Sequence, residues 1–164
     1  MIAGGERAVS AEERFAIEDL YAAYAHALDD GRYADWPEFF TDDCVYRIVA
    51  RENYERGLPL AILSFESKGM LHDRVYGVTQ TLFHEPYVMR HAIGSFLIAR
   101  AGADAYDVRA NYVIVRTKAN ALSEVYNAGR YVDRVERAGG RLLFREKVCV
   151  FDSETIPNSL IYPI

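Results

Sequence analysis

Cysteine is scarce in this chain of 164 residues: only Cys44 and Cys149 occur. Two thiols are too few for the disulfide framework that small secreted domains use in place of a core. Both sit among apolar neighbours in strand-like stretches, so reduced, buried thiols are expected, although sequence alone leaves a disulfide open. No apolar run approaches the roughly 20 residues that span a bilayer, and the opening MIAGGERAVSAEE lacks the apolar stretch of a secretory signal. A soluble, cytoplasmic protein without a membrane partner is the expectation. Positive charge is not in surplus either, since 19 Lys+Arg against 24 Asp+Glu give a formal net charge of -5 with both signs mixed along the chain. No basic stripe could offset a phosphate backbone, which argues against nucleic acid as a partner. Glycine-rich phosphate loops, a Gly-x-Ser-x-Gly elbow and His-Glu-x-x-His are all missing.

What is present is ordinary globular composition, 51% hydrophobic and 26% charged, in a length that suits one domain. A single domain over residues 1–164 is expected, with residues 1–10 a loose N-terminal segment. Ser10-Ala11-Glu12-Glu13 has the capping-box pattern that starts a helix. From there Ile17, Leu20, Tyr21, Tyr24 and Leu28 recur at helical spacing, and Gly31 is placed to end the helix in a left-handed cap. A short second helix over Tyr33 to Phe40 gathers Trp36, Phe39 and Phe40, and a strand follows near Cys44 to Ala50. After an irregular stretch from Asn53 to Pro59, a strand-like Leu60 to Phe65 leads to a third helix over Lys68 to Thr81.

The pattern then changes to long strands: Val88–Ala99, Tyr106–Thr117, Glu124–Arg137 and Arg141–Phe151. Gly102, Asn120 and Gly139-Gly140 punctuate them and predict antiparallel hairpins. From Asn111 to Thr117 both alternating sets are mixed in polarity, so the sheet is expected to be covered on both faces. Helices first and a meander afterwards give an α+β architecture: a strongly curved antiparallel sheet wrapped on N-terminal helices, the cystatin-like or nuclear-transport-factor-like cone.

Candidate chemistry is thin. A Rieske cluster needs paired Cys-x-His and Cys-x-x-His spacings, and neither cysteine is followed by a histidine. A mononuclear iron needs two histidines and a carboxylate on one face, and His26, His72, His84 and His91 show no ligand spacing. His26, beside Tyr24 and followed by Asp29 and Asp30, is the sharpest acid–base candidate, because cone-fold lyases use a histidine or aspartate inside the cone as general base. The plainer reading is a solvated acidic helix end. Carboxylates at the negative end of a helix do, however, point to something positive close by. Arg90-His91 and Asp73-Arg74 read as structural ion pairs or subunit contacts. The apolar tail, Ile156-Pro157-Asn158-Ser159-Leu160-Ile161-Tyr162-Pro163-Ile164, must dock, either on its own domain or on a neighbouring subunit.

Several stretches carry a family resemblance. They are Trp36-Pro37-Glu38-Phe39-Phe40-Thr41-Asp42-Asp43-Cys44-Val45-Tyr46, Glu52-Asn53-Tyr54-Glu55-Arg56-Gly57-Leu58-Pro59, Gly69-Met70-Leu71-His72-Asp73-Arg74-Val75, Arg90-His91 and Glu146-Lys147-Val148-Cys149-Val150-Phe151-Asp152-Ser153. From about residue 12 onward the chain resembles the small (beta) subunits of Rieske non-haem iron aromatic-ring-hydroxylating dioxygenases, and among these it leans to systems acting on carboxylated aromatics. The resemblance implies a structural subunit with no catalytic, cofactor-binding or metal-binding residue of its own. It also implies a large (alpha) subunit that holds a Rieske [2Fe-2S] cluster and a mononuclear Fe(II), commonly in an assembly of three large and three small subunits. A reductase, with or without a ferredoxin, would then supply electrons to the large subunit. Two other readings stand beside it: a free-standing cone-fold lyase or isomerase using Tyr24, His26 or Asp29, and a small-molecule binding protein on the same cone.

Overall fold

The computed structural model describes residues 8–155 and 160–164. Helix α1 spans Ala11–Asp29. Its start is the predicted capping box: Ser10 Oγ accepts from Glu13 N–H at 3.1 Å, and Glu13 Oε2 accepts from Ser10 N–H at 2.8 Å. Ile17, Tyr21, Tyr24 and Leu28 make its buried stripe, and Gly31 follows its end at φ +70°. Glu13 also accepts from Arg100 and, at 3.1 Å, from Tyr106 Oη. The guanidinium holds its carboxyl down at about 2. The loose segment expected over residues 1–10 falls mostly outside the described residues; at its end Val9 packs against the core and Ser10 caps α1.

A 3-10 turn over Tyr33–Phe39 buries Trp36 and leads into strand β1, Phe40–Ala50. This strand begins four residues before the expected Cys44, because Phe40 pairs with Phe144 before a bulge resets the register at Val45. The stretch expected to be irregular opens with a short helix α2, Arg51–Glu55, and β2 is only Leu63–Phe65. Helix α3, Lys68–Tyr76, is capped by Ser67 and continues as a π turn over Gly77–Thr81. Four strands follow: β3, Tyr87–Arg100; β4, Ala105–Lys118; β5, Glu124–Ala138; and β6, Arg141–Phe151.

The sheet order is β2-β1-β6-β5-β4-β3. Strands β3 to β6 form the expected antiparallel meander, while β1 joins it parallel to β6. The β5–β6 turn carries Gly139 and Gly140 at φ +57° and +80°, the two left-handed residues that match the twist of a tight hairpin. Register shifts interrupt β1, β3, β4 and β5, and such bulges bend a sheet. The result is an α+β cone, with α1 lying in the concave side of the curved sheet.

One expectation fails. The sheet is not covered on both faces. Along β4, Tyr106, Val108, Ala110, Tyr112 and Ile114 are buried while Asp107, Arg109, Asn111 and Val113 alternate with them on the exposed side. On that outer face only one end is sheltered: α2 and the loop after it lie over β1 and β6, where Val49, Val148 and Val150 pack with Val132. Across β3, β4 and the start of β5, Val88, Leu97, Val113 and Val125 remain exposed. The mixed polarity read from the sequence thus belongs to an apolar inner set and a partly apolar outer set that no other described residues cover.

Gly129 sits where β5 passes closest to β6. A Cβ there would lie 2.0 Å from Val150 O and 2.8 Å from Phe151 Cα. Backbone cannot move aside as a side chain can, so Gly129→Ala is expected to cost at least the upper part of the ~1–3 kcal/mol typical of overpacking. Urea denaturation of the variant measures this directly, and a loss below about 1 kcal/mol would contradict the close approach.

Candidate functional site

In the wide part of the cone the inward positions of the sheet are aromatic. Tyr21 and Tyr24 from α1 meet Phe144 edge-on at centroid distances of 5.1 and 5.5 Å, and Trp36 meets Tyr46 edge-on at 5.1 Å. Tyr112 and Tyr131 stack at 4.4 Å. Such offset and edge contacts add to the apolar burial of each ring.

Within this aromatic shell lies one acid–base pair. Lys147 Nζ donates to Asp133 Oδ2 at 2.9 Å, and both side chains are 0% exposed. Tyr21 Oη donates to the same carboxylate oxygen, and Val148 N–H donates to Oδ1 at 3.1 Å. The ammonium lies 3.5 Å from the centroid of Tyr131, 4.4 Å from Phe144 and 4.7 Å from both Tyr21 and Tyr24. Ring faces offer it the negative side of their quadrupoles. Burial pushes the Asp133 carboxyl up, and the ammonium and the phenol oppose that rise. Burial likewise holds Tyr21, Tyr24, Tyr46 and Tyr131 well above their ordinary range, so these phenols stay protonated.

The described end of the chain closes the cone. Ile164 is 0% exposed. Its carbonyl accepts from Tyr24 Oη at 2.7 Å and from Tyr46 Oη at 3.0 Å, and its N–H donates to Tyr46 Oη at 2.9 Å. Arg74 Nη2 donates to the carbonyls of Leu160 and Ile161 at 3.1 and 2.6 Å. Tyr162 stacks on Tyr33 at 4.5 Å. Residues 160–164 therefore dock on their own cone; residues 156–159 of the expected tail lie outside the described residues.

The three residues singled out as an acid–base cluster do not converge. Tyr24 points into the cone and is engaged by Ile164 and by Trp36 Nε1 at 3.3 Å. His26 is on the exposed side of α1. Asp29 is not a solvated helix end: its carboxylate accepts from His91 N–H at 3.0 and 3.2 Å and lies 2.6 Å from His91 Nδ1. The side chains of His91 and Asp29 are 0% and 7% exposed, and Arg90 Nη1 donates to Asp29 O at 3.4 Å. The cation near the negative helix end is thus Arg90, and the His91 N–H and ring, hydrogen-bonded to Asp29, pin α1 to β3. Asp30 lies 3.7 Å from Arg32. His72 is exposed beside Glu38 at 3.8 Å, and His84 packs edge-on to Tyr162 at 5.0 Å. Among the described residues no group of three His, Cys, Asp or Glu side chains could hold a metal ion. Cys44 and Cys149 are free and buried, and desolvation pushes their thiols up to about 11 and about 12.

Chemically, then, the interior offers a carboxylate held by three donors and shut away from solvent, which ties α1, β5 and β6 together and is out of reach of a substrate. Sequence reasoning missed the Lys147–Asp133 pair. The signal was parity: Asp133 shares the inward set of Tyr131 and Val135, and Lys147 that of Cys149 and Phe151. The outer face carries instead an open groove of about 1070 Å³ between the sheet and the Gly57–Ala61 loop.

The model of the SnoaL-like domain matches residues 9–148, so a SnoaL-like cone is the class to which fold and interior both point. The small subunit of anthranilate 1,2-dioxygenase from Burkholderia cepacia is 36% identical over 92% of this chain and 93% of its own length. A terminal oxygenase beta subunit of terephthalate 1,2-dioxygenase from Comamonas sp is 29% identical over 90% of this chain and 96% of its own. The crystal structure of a beta subunit assigned to an aromatic-ring-hydroxylating dioxygenase of Novosphingobium aromaticivorans superposes with a TM-score of 0.84 at 39% identity, covering 92% of this chain and 95% of that one. The chain belongs to the small (beta) subunits of aromatic-ring-hydroxylating dioxygenases.

Proposed function

We propose that this chain is the non-catalytic structural subunit of a Rieske-type dioxygenase that adds O2-derived oxygen to a carboxylated aromatic ring in aromatic-compound catabolism. The observation that carries this is the sealed cone: the acid–base pair inside its aromatic shell is fully buried, held by hydrogen bonds and closed over by residues 160–164. The relatives named for anthranilate and terephthalate support the carboxylated substrate class. In this reading the single-domain chain contributes no catalytic, cofactor-binding or metal-binding residue. The large subunit holds the [2Fe-2S] cluster, the mononuclear Fe(II) and the substrate pocket. Three large and three small subunits assemble in the cytoplasm, and a reductase, with or without a ferredoxin, feeds electrons to the large subunit.

The test is co-expression with the large subunit of the same organism, followed by mass determination and metal analysis of the separated chains. A stable hetero-oligomer with iron only in the large chain is the expected result; a metal-free chain that ignores the large subunit would return the lyase and binding-protein readings. In the assembled complex, His26→Ala and Asp29→Asn are expected to leave the hydroxylation rate per complex unchanged. Asp29→Asn lowers thermal stability through its clamp on His91. An order-of-magnitude loss of turnover with assembly intact would show that this chain takes part in the chemistry.

A further inference from the structure

We propose that the outer groove under the 57–61 loop is the seat of a large-subunit segment that lays apolar side chains on Val132 and Val148 and presents carboxylates to Arg47 and Arg109, which lie on either side of them in one row across the sheet. This rests on the small-subunit reading above and assigns the surface through which it operates.

Three observations converge on that groove. First, its floor is apolar, with Val132 and Val148 on the outer face, while its rim exposes Leu60 (63%) and Leu97 (60%) to solvent. Aliphatic side chains so exposed around a concavity are costly in water and mark an interaction surface. Second, two of the three arginines that line it are uncommitted. Elsewhere on this face Arg51 lies 2.6 Å from Asp152 and Arg130 3.4 Å from Glu55, and within the groove Arg134 lies 2.7 Å from Asp107. Arg47 and Arg109, both lining the groove, have no carboxylate within ion-pair distance among the described residues. Glu66 and Glu146 also line it, yet neither approaches these arginines closely enough to pair. Third, the groove continues along the sheet. A second concavity shares Leu97 and Arg109 and runs past Asn111 to Arg130, toward the uncovered Val113. A single-ring ligand would leave most of that track empty, whereas an extended polypeptide fills it, and arginine with an apolar anchor is what interface centres favour. The relatives' designation as small subunits supplies the occupant, because a small subunit implies a larger companion chain.

Arg47→Glu/Arg109→Glu and, separately, Leu60→Asp test the assignment, with folding checked by circular dichroism and association measured by titration with the purified large subunit. Leu60 and Arg109 are exposed and Arg47 is half-buried on the outer face, and the dichroism separates any variant that fails to fold from one that fails to bind. The expected result is association weakened at least about tenfold by each variant. If the unaltered chain binds the large subunit and both folded variants bind equally well, the groove assignment is overturned while the subunit reading survives. If the unaltered chain does not bind, both fall. If the variants lose only self-association, the occupant is a second copy of this chain and the proposal is wrong.

Discussion

Asp133→Ala is expected to be among the most damaging single substitutions in the molecule, although it touches no surface. Among the described residues the carboxylate is the only anion paired with the ammonium of Lys147, at 2.9 Å with both side chains 0% exposed. Removing it strands that charge among rings and also orphans the Tyr21 hydroxyl and the Val148 N–H. Breaking one side of a buried pair costs roughly 3–5 kcal/mol, which for a domain of this size lowers Tm by roughly 6–20 °C. Lys147→Met should cost less, since the carboxyl keeps two donors and can take up a proton. Burial already pushes Asp133 above its ordinary 3.8, and removing the ammonium pushes it further. A carboxyl raised in the folded state stabilises fully below its unfolded pKa and loses that contribution as pH rises through the folded value. Stability of Lys147→Met should therefore fall as pH rises above about 3.8. The double variant Asp133→Leu/Lys147→Met removes both charges and should recover much of the loss, as apolar replacement of buried pairs commonly does. Urea denaturation of the four chains forms the cycle; single variants within about 1 kcal/mol of the original chain would mean that the pair contributes little.

That pair also marks the limit of what the sequence discloses. The capping box at Ser10, the glycine stop after α1, the four-strand meander and the boundaries of β6 follow from local chemistry, in which turn residues and alternation act over a few positions. The partner of the negative end of α1 was foreseeable in kind, because a helix terminus needs a cation wherever it lies. What local pattern does not carry is register. Read out from the Gly139-Gly140 turn with unbroken pairing, Asp133 would face Glu146. The irregularity between Arg134 and Val135 shifts the pairing by one residue and sets Asp133 opposite Lys147. The parallel seat of β1 beside β6 likewise depends on segments about a hundred residues apart and leaves no trace in either strand's own alternation. His26 illustrates the reverse error: proximity along a helix to Tyr24 suggested a shared site, but two residues on a helix point about 200° apart, and the structure places His26 in solvent.

The tail has the second large effect. Removing residues 160–164 is expected to prevent the chain from folding stably on its own, which bears on the choice between docking at home and docking on a neighbour. Ile164 and Leu160 are 0% and 7% exposed, and burial of each such side chain is worth roughly 1.5–3 kcal/mol. Their loss also frees the hydroxyls of Tyr24 and Tyr46 and the guanidinium of Arg74, which burial already draws below its ordinary pKa. Water entering the opened cone would satisfy some of these groups and leave the aromatic wall wet. The sum, roughly 5 kcal/mol or more, is comparable to the whole stability of an ordinary domain. Ile164→Ala gives a graded version at roughly 2–5 kcal/mol. The only tryptophan reports the change, because Trp36 Nε1 donates to Tyr24 Oη, which in turn donates to the Ile164 carbonyl. A red-shifted Trp36 emission and a lowered urea midpoint are the expected pair of readings for Ile164→Ala. If the truncated chain instead unfolds with the original midpoint and unshifted emission, residues 160–164 do not seal the cone, and the internal acid–base pair would be open to solvent and to a substrate.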